Sequence, residues 1–123
     1  MAKNMRVSYL LDFYGDLLTE KQREALELYY NDDLSLGEIA ADSGISRQGV
    51  RDNIKRAEAI LFDMEDKLRL AQKFGEIKKG LASVRREIDI IDDRNMKIYR
   101  SNDINESIKV ILKELEKLNK LNE

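Results

Sequence analysis

Through the middle of the chain, apolar residues hold one spacing for longer than a compact bundle of short helices requires. Val50, Ile54, Ala57, Leu61, Met64, Leu68 and Ala71 step by four and three residues in turn, which keeps a single stripe on one side of an α-helix. The same alternation returns at Ile77, Leu81, Val84, Ile88 and Ile91, and again at Ile104, Ile108, Ile111, Leu115 and Leu118. None of the 123 residues is proline, so no ring removes a backbone donor inside these stretches. The fold class is read as all-α, with a compact head, a long fourth helix and a C-terminal helical tail.

Stop and start signals divide the first half. Val7, Leu10, Leu11, Tyr14, Leu17 and Leu18 share one helical face and predict an amphipathic first helix that stops at Thr19. Thr19 and Gln22 form a capping box that opens a second helix, which carries Ala25, Leu26, Leu28, Tyr29 and Tyr30 inward and runs out at Asn31–Asp33. Ser35 and Glu38 form another box, and Leu36, Ile39 and Ala40 give the third helix its short apolar face. Gly44 ends that helix, because the chain must leave with a positive φ. Ile45 is expected to plug the core, and Ser46 to cap the fourth helix.

The fourth helix shows no stop before Gly75. The expected division is a head of residues 1–74 and a helical tail of residues 75–123, with breaks at Gly75 and within Asp92–Asp103 and a cap at Asp103 with Glu106. The tail is expected to cover the far half of the fourth helix. Its stripes suit either an intramolecular core or a homodimer contact.

Two helices around Gly44 make a helix-turn-helix, in which the second helix offers its early residues to base edges in the major groove of double-stranded DNA. Val50 and Ile54 would hold that helix down. At about 100° per residue, the opposite face carries Gln48, Asp52 and Lys55, with Arg51 and Arg56 flanking and Arg47 in the first turn. Arginine reads guanine bidentately and glutamine reads adenine. Ser46, Arg47, Gln48, Arg51, Lys55 and Arg56 are therefore the candidate DNA-binding set. Asp52 either accepts from a cytosine amino group or forms a salt bridge to Arg56, four residues on.

The string LSLGEIAADSGISRQGVRDNIKRAEAIL resembles region four of bacterial sigma factors, which reads promoter DNA. Together with LLDFYGDLLTEKQREALELYYNDD before it, the sequence is similar to the YlxM family of small proteins credited with DNA binding. The resemblance is clear from about Val7 to Phe74 and weaker in the tail. Gly49 stands where such proteins tend to carry a larger residue, and Arg51 where an aromatic or other residue is frequent. The resemblance implies a helix-turn-helix head, a regulatory role and, from gene neighbourhood, a link to the signal recognition particle pathway.

Composition narrows the alternatives. Without cysteine or histidine the chain lacks thiolate nucleophiles, imidazole bases and the usual zinc ligands, so no cofactor, metal or catalytic role is expected. Carboxylates such as Asp63, Glu65, Asp66, Asp92 and Asp93 lie among lysines and arginines on expected solvent faces. No apolar run approaches the roughly 20 residues a membrane span needs, and a cytoplasmic location is expected. Net charge is −2, low for a protein that holds DNA by phosphate attraction alone. Two functions stay open: a sequence-reading DNA regulator, and a module that docks a protein or ribonucleoprotein of the secretion machinery.

Overall fold

The computed structural model describes residues 1–121. Among them helices α1 (Met5–Tyr14), α2 (Glu20–Leu26), α3 (Leu36–Ser43), α4 (Arg47–Leu68), α5 (Leu70–Arg94) and α6 (Asn102–Leu121) follow in order, without a strand. A tight turn at Gly15–Leu17 follows α1, and wider helical turns at Glu27–Asn31 and Asn95–Tyr99 extend α2 and α5. Contacts divide the chain into one unit, Met1–Ala71, and a second from Gln72 onward.

Local signals set the helix starts of the first unit. Asn4 caps α1, its side chain accepting from the Arg6 amide at 3.0 Å. Thr19 Oγ1 accepts from the Gln22 amide at 3.2 Å while Gln22 Oε1 accepts from the Thr19 amide at 3.1 Å. Ser35 and Glu38 exchange the same pair of bonds at 3.1 and 3.2 Å. Each box satisfies two amides that a bare helix start would leave open, a gain of about 1 kcal/mol. Helix α1 ends at Tyr14, earlier than its apolar spacing predicts. The chain tightens at Gly15, a weak helix residue, and Leu17 is left 65% exposed rather than joining the buried face.

The core of this unit gathers one edge from every helix. Val7, Leu10, Leu11 and Tyr14 of α1, Leu26 of α2, Tyr29 just after it, and Ile39 and Ala40 of α3 meet Val50, Ile54, Ala57 and Leu61 of α4. Full burial of each large aliphatic side chain contributes about 1.5–3 kcal/mol. Leu61 thus lies in the core of the head. Ile45, expected to plug that core, is exposed instead; it follows the left-handed Gly44 in the turn, where the chain runs along the surface.

Helix α4 does not continue to Gly75. It ends at Leu68, and Arg69 takes the left-handed conformation at φ 54°, its amide bonded to the Glu65 carbonyl at 2.8 Å. The cause is a buried polar joint. The Glu65 carboxylate accepts from the Tyr14 hydroxyl at 2.6 Å and from the Ala71 amide at 3.1 Å, and Tyr14 Oη in turn accepts from the Leu70 amide at 3.1 Å. Two first-turn amides of α5 are thereby satisfied beside a carboxylate, which the positive end of a helix favours. Glu65, expected on a solvent face, is buried. Gly75 lies inside α5, where an uninterrupted helix tolerates a single glycine at a cost of about 1 kcal/mol.

The second unit turns between α5 and α6 at Arg100, which is left-handed at φ 49°. Asn95, buried, holds that turn from both sides: its Oδ1 accepts from the Ser101 amide at 2.9 Å and its Nδ2 donates to the Ser101 carbonyl at 3.0 Å. Ser101 Oγ then accepts from the Ile104 amide at 3.2 Å. The cap of α6 is therefore Ser101, not Asp103. Ile88, Ile108 and Leu115 are the buried aliphatic residues of this unit.

Three outcomes follow from these joints. A Cβ on Gly44 would meet nothing within 4 Å, yet the residue holds φ 71°; Gly44→Ala should cost about 1–2 kcal/mol through backbone strain alone, measured by denaturant unfolding. Tyr14→Phe removes a donor from a buried carboxylate and should cost about 1–3 kcal/mol by the same measurement. Burial and the bond to Glu65 raise the Tyr14 hydroxyl above its usual range. Tyrosines of the unfolded chain ionise near pH 10, so this part of the stability should be full below that pH and fall as pH rises past it, less steeply in Tyr14→Phe.

Candidate nucleic-acid interface

Helix α3, the turn at Gly44 and Ile45, and helix α4 form a helix-turn-helix whose second helix is buried along one edge and bare along the other. The Gly44 amide bonds the Ala40 carbonyl at 3.0 Å, closing α3, and Ser46 Oγ accepts from the Gly49 amide at 3.0 Å, opening α4. Gly49 packs closely beneath this cap: a Cβ there would stand 3.3 Å from Ser46 Oγ. With Val50, Ile54 and Ala57 buried, Arg47, Gln48, Arg51, Lys55 and Arg56 are all exposed.

The exposed residues differ in their freedom. Arg47 lies back across the start of α3, where a Cβ on Gly37 would come within 2.9 Å of its guanidinium. Glycine at position 37 makes room for that approach. Gln48 Nε2 donates to Asp52 Oδ1 at 3.0 Å. Asp52 therefore has Gln48 as its partner, not Arg56, because the amide one turn earlier reaches it along the same face. Among the described residues, no carboxylate lies within salt-bridge distance of Arg47, Arg51, Lys55 or Arg56, whereas Arg23, Lys67, Arg85, Lys97, Lys109, Lys117 and Lys120 each have an acidic partner. An exposed helix face with four unneutralised cations is equipped to meet phosphates.

Neighbouring groups hold α4 in place. The Tyr30 hydroxyl donates to Glu58 Oε1 at 2.6 Å, and burial together with that bond pushes Tyr30 up to about 12. Tyr29 and Tyr30 meet edge to face with centroids 5.2 Å apart, Tyr29 buried and Tyr30 half-buried, as core and rim residues rather than a stacking platform for bases. Arg6 of α1 stands over the Phe62 ring at 5.5 Å. Of the other carboxylates, Asp63 pairs with Lys67 and Asp93 with Lys97. Among the described residues no cluster of acidic groups could hold a metal, and no helix is long and apolar enough to cross a membrane.

A recess of about 300 Å³ opens between α2 and the helix-turn-helix. Ala25, Leu28, Ile45 and Val50 are among its apolar lining, with Glu24 and Asp42 among its polar groups. Asn53 also borders it, and rotation by about 100° per residue places Asn53 nearly opposite Arg51 on α4. The recess thus lies on the side of the helix away from Arg51 and Lys55. Periodicity did not reveal this recess, because it assigned Ile45 to the core.

Residues 1–122 match the profile of the UPF0122 family, described as "Putative helix-turn-helix protein, YlxM / p13 like". The chain belongs to this family. Relatives named UPF0122 protein from Bacillus thuringiensis (strain Al Hakam) and Bacillus cereus (strain 03BB102) are each 46% identical over 118 residues, covering 96% of this chain and 98% of theirs. A relative from Bacillus anthracis (strain A0248) is 45% identical over the same span. The likeness therefore reaches well beyond Phe74, and the tail is part of what UPF0122 proteins share. Its weaker signal in the sequence reflects helical stripes that many residue choices can satisfy.

Arg51 and Lys55 are exposed and form no ion pair within the fold. Arg51→Ala and Lys55→Ala should each shift unfolding free energy by less than about 0.5 kcal/mol. Calorimetry or urea titration of the full chain measures this directly.

Proposed function

We propose that this UPF0122 protein is a non-enzymatic DNA-binding regulator that lays α4 in the major groove of double-stranded DNA. The observation that carries this reading is the exposed face of α4, where Arg47, Arg51, Lys55 and Arg56 have no acidic partner while Gln48 engages the intervening Asp52. Arg51 is the base reader in this proposal. Its guanidinium is exposed on the flank of α4 and can present a bidentate fork to guanine. Arg47, leaning over the first turn of α3, and Lys55 and Arg56 take phosphates, while Ser46 and Gln48 complete the contact surface. The sigma region four likeness supports the same docking geometry. A cytoplasmic location and a homodimeric state belong to this proposal. So does a link to the signal recognition particle pathway, which rests on the family resemblance alone.

Titration against a random pool of duplexes at two salt concentrations tests it. Few phosphates are engaged, so affinity should fall with salt at a log-log slope of about 3 to 5, at roughly 0.9 per phosphate contact. On the enriched sequence Arg51→Ala should cost about 1–3 kcal/mol and relax preference at one position. Lys55→Ala should instead weaken all sequences alike. No duplex binding tighter than millimolar at low salt would end the DNA reading.

The recess beside α2 favours a second reading, in which the head docks a protein or ribonucleoprotein of the secretion machinery. Its apolar lining, with Glu24 and Asp42 against the single cation Lys21, suits a basic, amphipathic partner segment. Ile45→Asp would then abolish binding of that partner, whereas Arg51→Ala would leave it intact.

A further inference from the structure

We infer that the α5–α6 unit is half of a four-helix bundle, and that a second copy of this chain supplies the other half through a seam of six side chains. This rests on the homodimeric state proposed above and identifies its contact. The Asn95–Ser101 clamp fixes the register. Counting outward from that pair in steps of seven residues reaches Ile88 and Ile108, then Leu81 and Leu115. Ile88, Ile108 and Leu115 are buried and Leu81 half-buried. These residues form the closed row of the unit.

A second row accompanies it. Ile77, Val84 and Ile91 lie four residues before the closed positions of α5, and Ile104, Ile111 and Leu118 three residues after those of α6, each again seven apart. All six are between 38 and 51% exposed. A heptad spacing that is filled on one row and open on the next is the pattern of a helix pair within a larger bundle. The open row forms three layers, Ile91 with Ile104, Val84 with Ile111, and Ile77 with Leu118.

Size, symmetry and charge select a second copy as the occupant. Twenty residues of α6 span about 30 Å, so two helices side by side offer a face on the order of 600 Å². That is close to the roughly 800 Å² per partner of a stable interface. The three layers are self-complementary: a two-fold axis through the Val84–Ile111 layer sets the Ile77–Leu118 layer against the partner's Ile91–Ile104 layer. Helices α5 and α6 carry both signs in near balance, 10 basic and 9 acidic side chains, some of them paired along the helix as in Arg85–Asp89, Lys109–Glu106, Lys117–Glu114 and Lys120–Glu116. A nucleic acid or a strongly charged protein finds little net charge to meet there. An identical balanced apolar face fits.

Sedimentation equilibrium of the full chain between 1 and 100 micromolar tests the seam, those concentrations being about the range in which interfaces of this size associate. The wild type should show twice the 14.3 kDa mass of one chain. Val84→Glu with Ile111→Glu should yield a monomer. Met96→Glu, at an exposed apolar position off both rows, should leave the dimer unchanged. The milder Val84→Ala with Ile111→Ala should raise the dissociation constant at least tenfold at unchanged circular dichroism, which separates lost association from lost folding. A monomeric wild type, or a dimer that survives the glutamates but not Met96→Glu, overturns the seam. A wild-type dimer that enriches no duplex supports the seam and removes the DNA reading. A monomeric wild type that enriches a single half-site does the reverse.

Discussion

The head depends on the burial of one edge of α4. Val50, Ile54, Ala57 and Leu61 lie in a single line against α1, α2 and α3, and a helix held along one edge must present the opposite edge to water. That division makes the cationic face possible. Apart from Ser46, whose hydroxyl caps α4, the side chains that fix α4 and those that would meet a ligand share no atoms, so the rest of the exposed face can change without loss of the fold. Arg51 and Lys55 are therefore free of structural duty, whereas the inward residues belong to the core shared with the three neighbouring helices.

Where that edge ends, hydrogen bonding takes over from packing. Helix α4 could have continued through its apolar stripe, but Glu65 and Tyr14 offer the Leu70 and Ala71 amides a ready-made cap. A left-handed arginine costs about 1–2 kcal/mol, and two satisfied amides with a buried, bonded carboxylate offset it. Asn95 plays a comparable part at the turn between α5 and α6, replacing with its own amide the backbone bonds that Arg100 interrupts. In both places one buried polar side chain decides where a long helix stops.

The low net charge ceases to conflict with a DNA-binding reading once pairing is considered. Helices α5 and α6 carry basic and acidic side chains in near balance, and Arg85, Lys109, Lys117 and Lys120 form ion pairs along their own helices, which reduces their field beyond the surface. On the exposed face at the start of α4, Arg47, Arg51, Lys55 and Arg56 form none. Partner recognition answers to such local, unneutralised charge more than to the total. The same reasoning separates two surfaces of the chain: the cationic face of α4 suits phosphates, and the balanced apolar row of α5 and α6 suits another helical pair.

Sequence alone determined the features whose partners lie within one helical turn. The boxes at Thr19–Gln22 and Ser35–Glu38, the left-handed Gly44, the Ser46 cap and the inward line from Val50 to Leu61 all depend on residues three or four positions apart, and such spacing is legible without a fold. Tertiary structure decided everything whose partner is distant or whose neighbour competes. Glu65 read as a surface acid because Tyr14 is far away in sequence; Ile45 read as core because nothing local revealed that the turn would leave it in water. Arg69 rather than Gly75 ends α4, since a buried cap outweighs intrinsic propensity. The exposed positions of Arg47, Gln48, Arg51, Lys55 and Arg56 followed from helical rotation, but the lean of Arg47 over Gly37 and the bond from Gln48 to Asp52 are choices among rotamers. Those choices are made by neighbouring atoms, and the order of residues does not encode them singly.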